Sequence, residues 1–257
     1  MNYRALINYL PSAIVVVLFI VGWQAYVVLF HIPSYLLPTP TSIASILASP
    51  SGDWIGNSWT TLYETIAGFV MAVVIGIPLA IALMYSVWFN RVAYPIILLF
   101  QVIPKVALAP LIFLLMNFGL IPRIVVTFLV AFFPIIIDTL AGLNSLEPDY
   151  VDLLRSVGAS NYQVFTVARL HNALPHIFSG LKVSITLALI GAIVAEFVQS
   201  NSGLGYILLE AMANGSTITA FGAIVLLAAI GVGLYLLFVV LERMTTGWYI
   251  QSKAVRR

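Results

Sequence analysis

Ionisable side chains inside apolar stretches are the residues of this chain that could do chemistry. Lys105 lies between Pro104 and Pro110 in an otherwise apolar segment, and Glu196 ends another apolar segment. A charged side chain at membrane depth is costly and is therefore a functional candidate. We interpret Lys105 as a positive charge that lines a pathway for an anion or a polar solute. The alternative is that it pairs with a carboxylate or snorkels to the surface.

Several other polar residues are candidates for the same pathway. Glu196 is expected to line an outer gate, to pair with Lys105 or to meet outer water. Met116 and Asn117 are expected to line the same cavity, although a methionine in an apolar helix usually only packs. Glu64 is expected to be solvated or to cap a helix end. The predicted pathway residues are Lys105, Met116, Asn117, Glu196 and Asn201.

Motifs for nucleotide, metal or covalent chemistry are missing. The pattern G-x-x-x-x-G-K-[ST] is absent, so ATP and Mg²⁺ are expected on a partner and no cofactor is expected in this chain. His31, His171 and His176 are not spaced as zinc ligands, and the chain contains no cysteine. G-x-S-x-G and suitably spaced carboxylate pairs are also absent, so catalysis is not expected.

The longest polar interval runs from 147 to 175 and begins with a predicted short helix. Pro148 suits a first helical position, and Arg155 would lie in the last turn. Gly158 fits the left-handed residue that often follows a helix end. A helix is therefore predicted over 148–157.

A second short helix is predicted to follow after a hinge. Ser160 stands three residues before Gln163, which is the spacing of a capping box, so this helix should begin near 161. Neither helix is long enough to cross a membrane, and both carry apolar residues that predict a partner protein surface. These residues are Leu153, Leu154, Val157, Val164, Phe165 and Val167.

The composition indicates an integral membrane protein of the all-α class. Apolar residues make up 62% of the 257 residues and charged residues only 8%, against roughly 25% charged in soluble domains. About six spans are predicted, at 12–30, 60–87, 92–117, 121–140, 177–198 and 217–241. The third should be kinked or broken, because it contains three prolines. The segment between the first two spans is expected to lie along the membrane surface.

Basic residues predict the orientation in the membrane. With the N-terminus inside, most of them fall on one side, which is the cytoplasmic side, and both termini are then cytoplasmic. The net charge of +2 and the scattered basic residues give no basis for nucleic-acid binding. The basic residues on the predicted cytoplasmic side are Arg4, Arg91, Arg155, Arg169, Arg243, Lys253, Arg256 and Arg257.

Six stretches together resemble the transmembrane permease subunits of ATP-binding-cassette (ABC) importers, in the nitrate, sulfonate and taurine branch. They are YLLPTP (35–40), TIAGFVMAVVIGIPLAIAL (65–83), IPKVALAPLIFLLMNFG (103–119), FFPIIIDTLAGLNSLEP (132–148), RSVGAS (155–160) and NSGLGY (201–206). The resemblance implies the type I importer permease fold. It also implies that the polar interval forms coupling helices, which dock into a groove on the ATPase subunit.

The family pattern of the coupling loop is E-A-A, three residues, Gly, nine residues, Ile, one residue, Leu-Pro. Gly158 and Leu170 match it, whereas Asp152 replaces Glu, Ala168 replaces Ile and His171 replaces the proline. Pro175 is expected to supply a helix break nearby. The resemblance implies ATPase coupling by Asp152, Leu153, Leu154, Arg155, Gly158, Ala159, Ser160 and Leu170.

The resemblance also implies an architecture and a set of partners. The expected parts are an N-terminal helix with an interfacial segment (1–57), a transmembrane core (58–246) with coupling helices at 147–171, and a cytoplasmic tail (247–257). The expected partners are lipid, a second permease copy, two ATPase subunits, an outer solute-binding protein and a small solute. The expected location is the bacterial inner membrane.

Two classes of protein compete with this interpretation. A secondary transporter should show an inverted repeat with paired broken helices, and a membrane enzyme or scaffold should show catalytic clusters or a large soluble region. Neither pattern is visible in the sequence. The substrate stays open between a small anion, such as nitrate, bicarbonate, a sulfonate or taurine, and an aromatic or pyrimidine vitamin precursor, and Lys105 favours the anion.

Overall fold

The computed structural model describes residues 3–49 and 53–247, and every regular element within these ranges is a helix. This confirms the all-α class. In chain order the elements are α1 (Tyr3–Leu29), α2 (Pro40–Ala48), α3 (Trp54–Tyr85), α4 (Val87–Val102), α5 (Lys105–Met116), α6 (Leu120–Asn144), α7 (Pro148–Ser156), α8 (Asn161–Gln163), a π-helical segment (Val164–Arg169), α9 (Leu170–Val198), α10 (Leu204–Ala213) and α11 (Thr217–Thr245).

Four helices are long and apolar enough to cross a membrane: α3, α6, the continuous helix Asn161–Val198 and α11. They correspond to the second, fourth, fifth and sixth predicted spans. A fifth candidate consists of α4 and α5, which meet at an angle of 95°. The predicted first span lies within α1 except for Phe30, and the part Ala13–Leu29 is a shorter apolar helix. The predicted tail lies outside the described residues except for Gly247.

The break in the third predicted span occurs at Pro104. Ile103, which precedes it, is extended with φ −61° and ψ 130°, because the proline ring disfavours helical geometry in the residue before it. Pro95 and Pro110 lie inside α4 and α5 without interrupting them. The predicted break is therefore confirmed, and one of the three prolines accounts for its position.

The predicted helix break near Pro175 is wrong. The chain is helical without interruption from Asn161 to Val198, and Pro175 lies within α9. Packing explains this result, because Ala173 and Ile177 on either side of the proline are buried in the main hydrophobic core. Neighbouring helices can compensate for the backbone hydrogen bond that a proline removes within a bundle.

The core of the bundle is formed by α6 packed between α3 and α9. Phe69 of α3, Ile135 of α6 and Ile185 of α9 are buried in the same cluster. Small residues set the helix spacing, as a Cβ on Gly191 would lie 2.9 Å from the Thr127 Cα and one on Gly76 would lie 3.1 Å from the Ile135 Cγ2. Glycine at these positions allows the helices to approach closely.

The two ends of the bundle are formed by different elements. At one end the start of α3 contacts α10 through a hydrogen bond between Thr61 and Leu204. At the other end Tyr85, the last residue of α3, packs against Phe165 of the π-helical segment. We call these the α10 end and the α7 end.

Candidate functional site

The hinge between α7 and α8 has the geometry that the sequence predicted. Gly158 has φ +84°, in the left-handed region. Its N–H donates to the Arg155 carbonyl at 2.9 Å and the Ala159 N–H donates to the Leu154 carbonyl at 3.0 Å. These two bonds form a Schellman motif, which satisfies the last carbonyl groups of α7. The turn between α7 and α8 therefore has a defined backbone geometry.

The second helix also begins as predicted, with a capping box. The Ser160 N–H donates to the Gln163 Oε1 at 2.8 Å, and the Gln163 N–H donates to the Ser160 Oγ at 3.3 Å. What the sequence did not predict is the continuation, since this helix runs through a π-helical segment directly into α9. One continuous helix therefore connects α8 to the α10 end.

The apolar residues of this segment divide into an internal set and an exposed set. Val164 is buried, and Phe165 packs on Tyr85 with a centroid distance of 5.7 Å, so the prediction that these two need a partner protein is wrong. Leu170 is half-buried against the main core. The exposed large apolar and aromatic side chains are Tyr150, Leu153, Val157, Tyr162 and Val167.

The remaining residues predicted to couple to an ATPase lie beside this exposed face. Asp152 and Arg155 are exposed and Leu154 is half-buried. An exposed apolar face on capped, rigidly connected helices is suited to helix-in-groove binding. The docking role of these residues stays a prediction.

The structure does not bring all predicted pathway residues together. The Lys105 ammonium, at the start of α5, donates to the Gln101 carbonyl at 2.7 Å and lies 4.8 Å from the centre of the Phe133 ring. Met116 and Asn117 lie at the other end of α5, about 16 Å away at helical rise.

Glu196 is buried at the α10 end, where it caps α10 in place of a local residue. Gly203 precedes α10 and has no side chain to cap it. Instead the Gly205 N–H donates to the Glu196 Oε2 at 2.6 Å, and the Leu204 N–H donates to the Thr61 Oγ1 at 2.9 Å. The Thr61 hydroxyl donates to the Glu196 Oε1 at 2.7 Å. Both carboxylate oxygens are thus satisfied.

The glycines of NSGLGY are required by this arrangement. Gly203 has φ +107°, and its N–H donates to the Asn57 Oδ1 at 2.6 Å. A Cβ on Gly205 would lie 2.6 Å from the Glu196 Oε2, so a larger residue would displace the carboxylate. Asn201 is exposed next to this turn. The expectations that Glu196 pairs with Lys105 or meets water are wrong, and its role in a pathway stays a prediction.

A second buried group lies at the same end. Glu64 is fully buried, and its Oε1 is 2.5 Å from the Arg123 Nη1. Arg123 also donates to the Ser200 Oγ at 2.9 Å and to the Gly119 carbonyl at 3.2 Å. The expectation that Glu64 is solvated or caps a helix is wrong, because α3 begins at Trp54 and places Glu64 about three turns into the helix.

We call these residues the α10-end polar network: Asn57, Thr61, Glu64, Arg123, Glu196 and Ser200. It joins α3, α6 and α9 to the start of α10. Sequence reasoning missed it as a unit, although a signal was present. Asn57, Thr61 and Glu64 are spaced four and three apart, which places them on one face of a helix.

Comparisons with known proteins agree on one family. Residues 72–246 match the sequence profile of the family described as "Binding-protein-dependent transport system inner membrane component". The chain is 33% identical over 237 residues to the riboflavin transport system permease protein RibX of Chloroflexus aurantiacus, covering 91% of this chain and 88% of RibX. It is 28% identical over 239 residues to the taurine transport system permease protein TauC of Escherichia coli, covering 91% and 87%.

The fold matches a solved structure. A chain from the inward-facing MetNI methionine ABC transporter superposes with a TM-score of 0.67 at 21% identity, covering 77% of this chain and 99% of that chain. At this level of identity the match describes the arrangement of helices. It places the bundle described above among known membrane permease folds.

Proposed function

The chain belongs to the family of binding-protein-dependent transport system inner membrane components, the permease subunits of ABC importers, and we propose that it forms the translocation pathway of one such importer. A permease of this kind is not an enzyme. ATP hydrolysis takes place on a separate subunit. The chain is a multi-pass protein of the inner membrane.

The proposed complex contains two copies of this chain, surrounded by lipid, with two ATPase subunits at the α7 end and a solute-binding protein at the α10 end. The α7 end carries Arg91, Arg155 and Arg169, so the positive-inside rule supports its placement in the cytoplasm. Both termini then lie in the cytoplasm. The exposed apolar face of α7 and α8 supports ATPase docking at this end.

The observation that carries the proposal is the unbroken helix Asn161–Val198. Its first residues form the hinge region that docks on the ATPase, and its last residues reach Glu196 in the α10-end polar network. Closure of the ATPase subunits would move α7 and α8, and the same helix would carry this displacement to the opposite end. Alternating access needs two arrangements of the helices, and movement of this helix would shift the equilibrium between them.

The central test is ATP-driven uptake by the purified complex in proteoliposomes. We expect uptake to require the solute-binding protein outside and ATP inside. Uptake driven by an ion gradient in the absence of ATP would instead indicate a secondary transporter and would contradict the proposal.

The proposed substrate is a small solute with an anionic group. Lys105 supports this choice, because its ammonium is half-exposed and bonds to a carbonyl and an aromatic ring rather than to a carboxylate. An aromatic vitamin or a vitamin precursor is the second candidate. It is favoured by the identity to RibX, which exceeds the identity to TauC.

Replacing Lys105 tests the two candidates. Lys105→Ala is expected to reduce uptake of an anionic substrate by tenfold or more, since a charge-assisted contact contributes roughly 1.5–3 kcal/mol. The ligand that co-purifies with the partner binding protein identifies the substrate to be used. Unchanged uptake in Lys105→Ala would remove Lys105 from the pathway, and an uncharged aromatic ligand would support the second candidate.

A further inference from the structure

A polar cavity lies at the α7 end, between the last turn of α3, α7 and the π-helical segment. Its volume is about 210 Å³. Arg155, Asn161 and Arg169 form its polar lining, and Tyr85 and Val164 belong to its apolar lining. The cavity is distinct from the exposed apolar face of α7 and α8, because none of the exposed apolar and aromatic side chains named above lines it.

The charge in this cavity is uncompensated among the described residues. Two arginines line it, and no carboxylate among the described residues does. The Arg155 guanidinium makes no hydrogen bond or ion pair with any residue of 3–49 and 53–247, and the Arg169 guanidinium makes one long bond of 3.5 Å to the Leu143 carbonyl. Two guanidinium groups in one partly enclosed space repel each other. An anion between them would remove that repulsion.

We propose that this cavity binds a phosphate group, supplied either by the head group of an anionic phospholipid or by a soluble phosphate. The planar guanidinium fork matches the geometry of phosphate oxygens, which is why arginine pairs recognise phosphate. Asn161 adds an amide donor. A phosphate held by Arg155 of α7 and Arg169 of the π-helical segment connects the two helices on either side of the hinge.

The position of the cavity suits a lipid as well as a soluble ion. Trp88 and Arg91 lie in the first two turns of α4, just after α3 ends, and both are exposed. Exposed tryptophan and arginine are typical of the level of lipid head groups. The phosphate would fix α7 against the π-helical segment. This inference rests on the proposed function for the role of α7, but phosphate binding itself does not depend on that role.

The test measures binding to the intact permease–ATPase complex. Native mass spectrometry is used with phosphatidylglycerol and phosphatidylcholine, and equilibrium binding is used with radiolabelled inorganic phosphate. Arg155→Gln and Arg169→Gln are each expected to lower occupancy about tenfold, as for the loss of one charge-assisted contact. Arg91→Gln is the control, because Arg91 is exposed near the same end but does not line the cavity.

The possible outcomes distinguish a lipid ligand from a soluble ion, and they test the cavity ligand separately from the proposed function. Binding of phosphatidylglycerol that depends on both arginines assigns a lipid, and binding of inorganic phosphate that depends on them assigns a soluble ion. Equal occupancy in the wild type and both variants, or no binding of either probe, overturns the inference. Because ATP-driven uptake is measured separately, normal uptake without anion binding refutes only the cavity ligand. Anion binding that depends on both arginines, without ATP-driven uptake, refutes only the proposed function.

Discussion

Gly158 is held in a backbone conformation that other residues adopt only with strain. At φ +84° an added Cβ meets no atom within 4 Å, so a substitution there changes backbone energy and not packing. Gly158→Ala should cost about 1 kcal/mol at the hinge. We expect ATP-driven uptake to fall several-fold while the amount of protein in the membrane is unchanged.

Gly233→Ala is the matched control for this change. Gly233 lies in α11, where a Cβ also meets no atom within 4 Å and φ is not left-handed. We expect normal uptake in this variant. A similar loss of uptake in both variants would show that the geometry of Gly158 is not the cause.

We predict that the contributions of Glu64 and Arg123 to stability are strongly coupled. Arg123→Met leaves a fully buried carboxylate without its partner, and such a loss typically costs 3–5 kcal/mol. The double variant Glu64→Gln, Arg123→Met should recover most of this stability. Thermal unfolding of the purified complex in detergent gives the stability of the wild type, both single variants and the double variant. Additive effects of the two substitutions would contradict the buried pair.

Local chemistry explains which single residues the sequence could predict. Gly158, Ser160 and Gln163 were predicted correctly because a cap depends only on residues near it in sequence. Glu64 and Glu196 were not, because their partners lie on other helices, up to 135 residues apart. The environment of these two glutamates depends on how the helices pack against each other. The spacing of residues along one sequence does not determine that packing.

Among the elements, α10 depends most on residues outside itself. Its first N–H groups are satisfied by Asn57, Thr61 and Glu196 from α3 and α9. Glu196→Gln keeps the shape but removes the negative charge at the positive end of α10, at a cost of about 1 kcal/mol. We expect a lower unfolding temperature of the complex.

A second glutamate on the same helix provides the comparison. Glu210 is exposed near the last turn of α10, where the helix dipole disfavours negative charge. Glu210→Gln should therefore leave the unfolding temperature unchanged or slightly raised. An equal decrease in both variants would argue against capping by Glu196.

Two prolines show the limit of prediction at the scale of elements. Pro104 ends α4 and begins the bend of 95°, whereas Pro175 lies inside an unbroken helix. The local effect of proline is the same in both cases. The difference is that buried neighbours hold the helix together around Pro175, and this tertiary contribution is not visible in the sequence.

For the whole molecule, the absence of cysteine allows a direct test of orientation. Tyr162 at the α7 end and Met212 at the α10 end are 74% and 66% exposed. A membrane-impermeant maleimide should label Met212→Cys in intact cells and Tyr162→Cys only after permeabilisation. Labelling of Tyr162→Cys in intact cells would reverse the proposed orientation.

The same variant tests docking when the ATPase is present or absent. If α8 lies in an ATPase groove, co-expression of the ATPase subunit should slow the labelling of Tyr162→Cys in permeabilised cells. Labelling of Met212→Cys should not change. Equal rates for Tyr162→Cys with and without the ATPase would contradict docking at this surface.

The unbroken helix Asn161–Val198 also has a mechanical consequence. Its 38 residues span about 57 Å at helical rise. A rigid rod of this length that pivots near one end by about 5° moves its other end by about 5 Å, which is close to one helical turn. Small angular changes at the ATPase would therefore be amplified into displacements large enough to open or close a passage for a small solute.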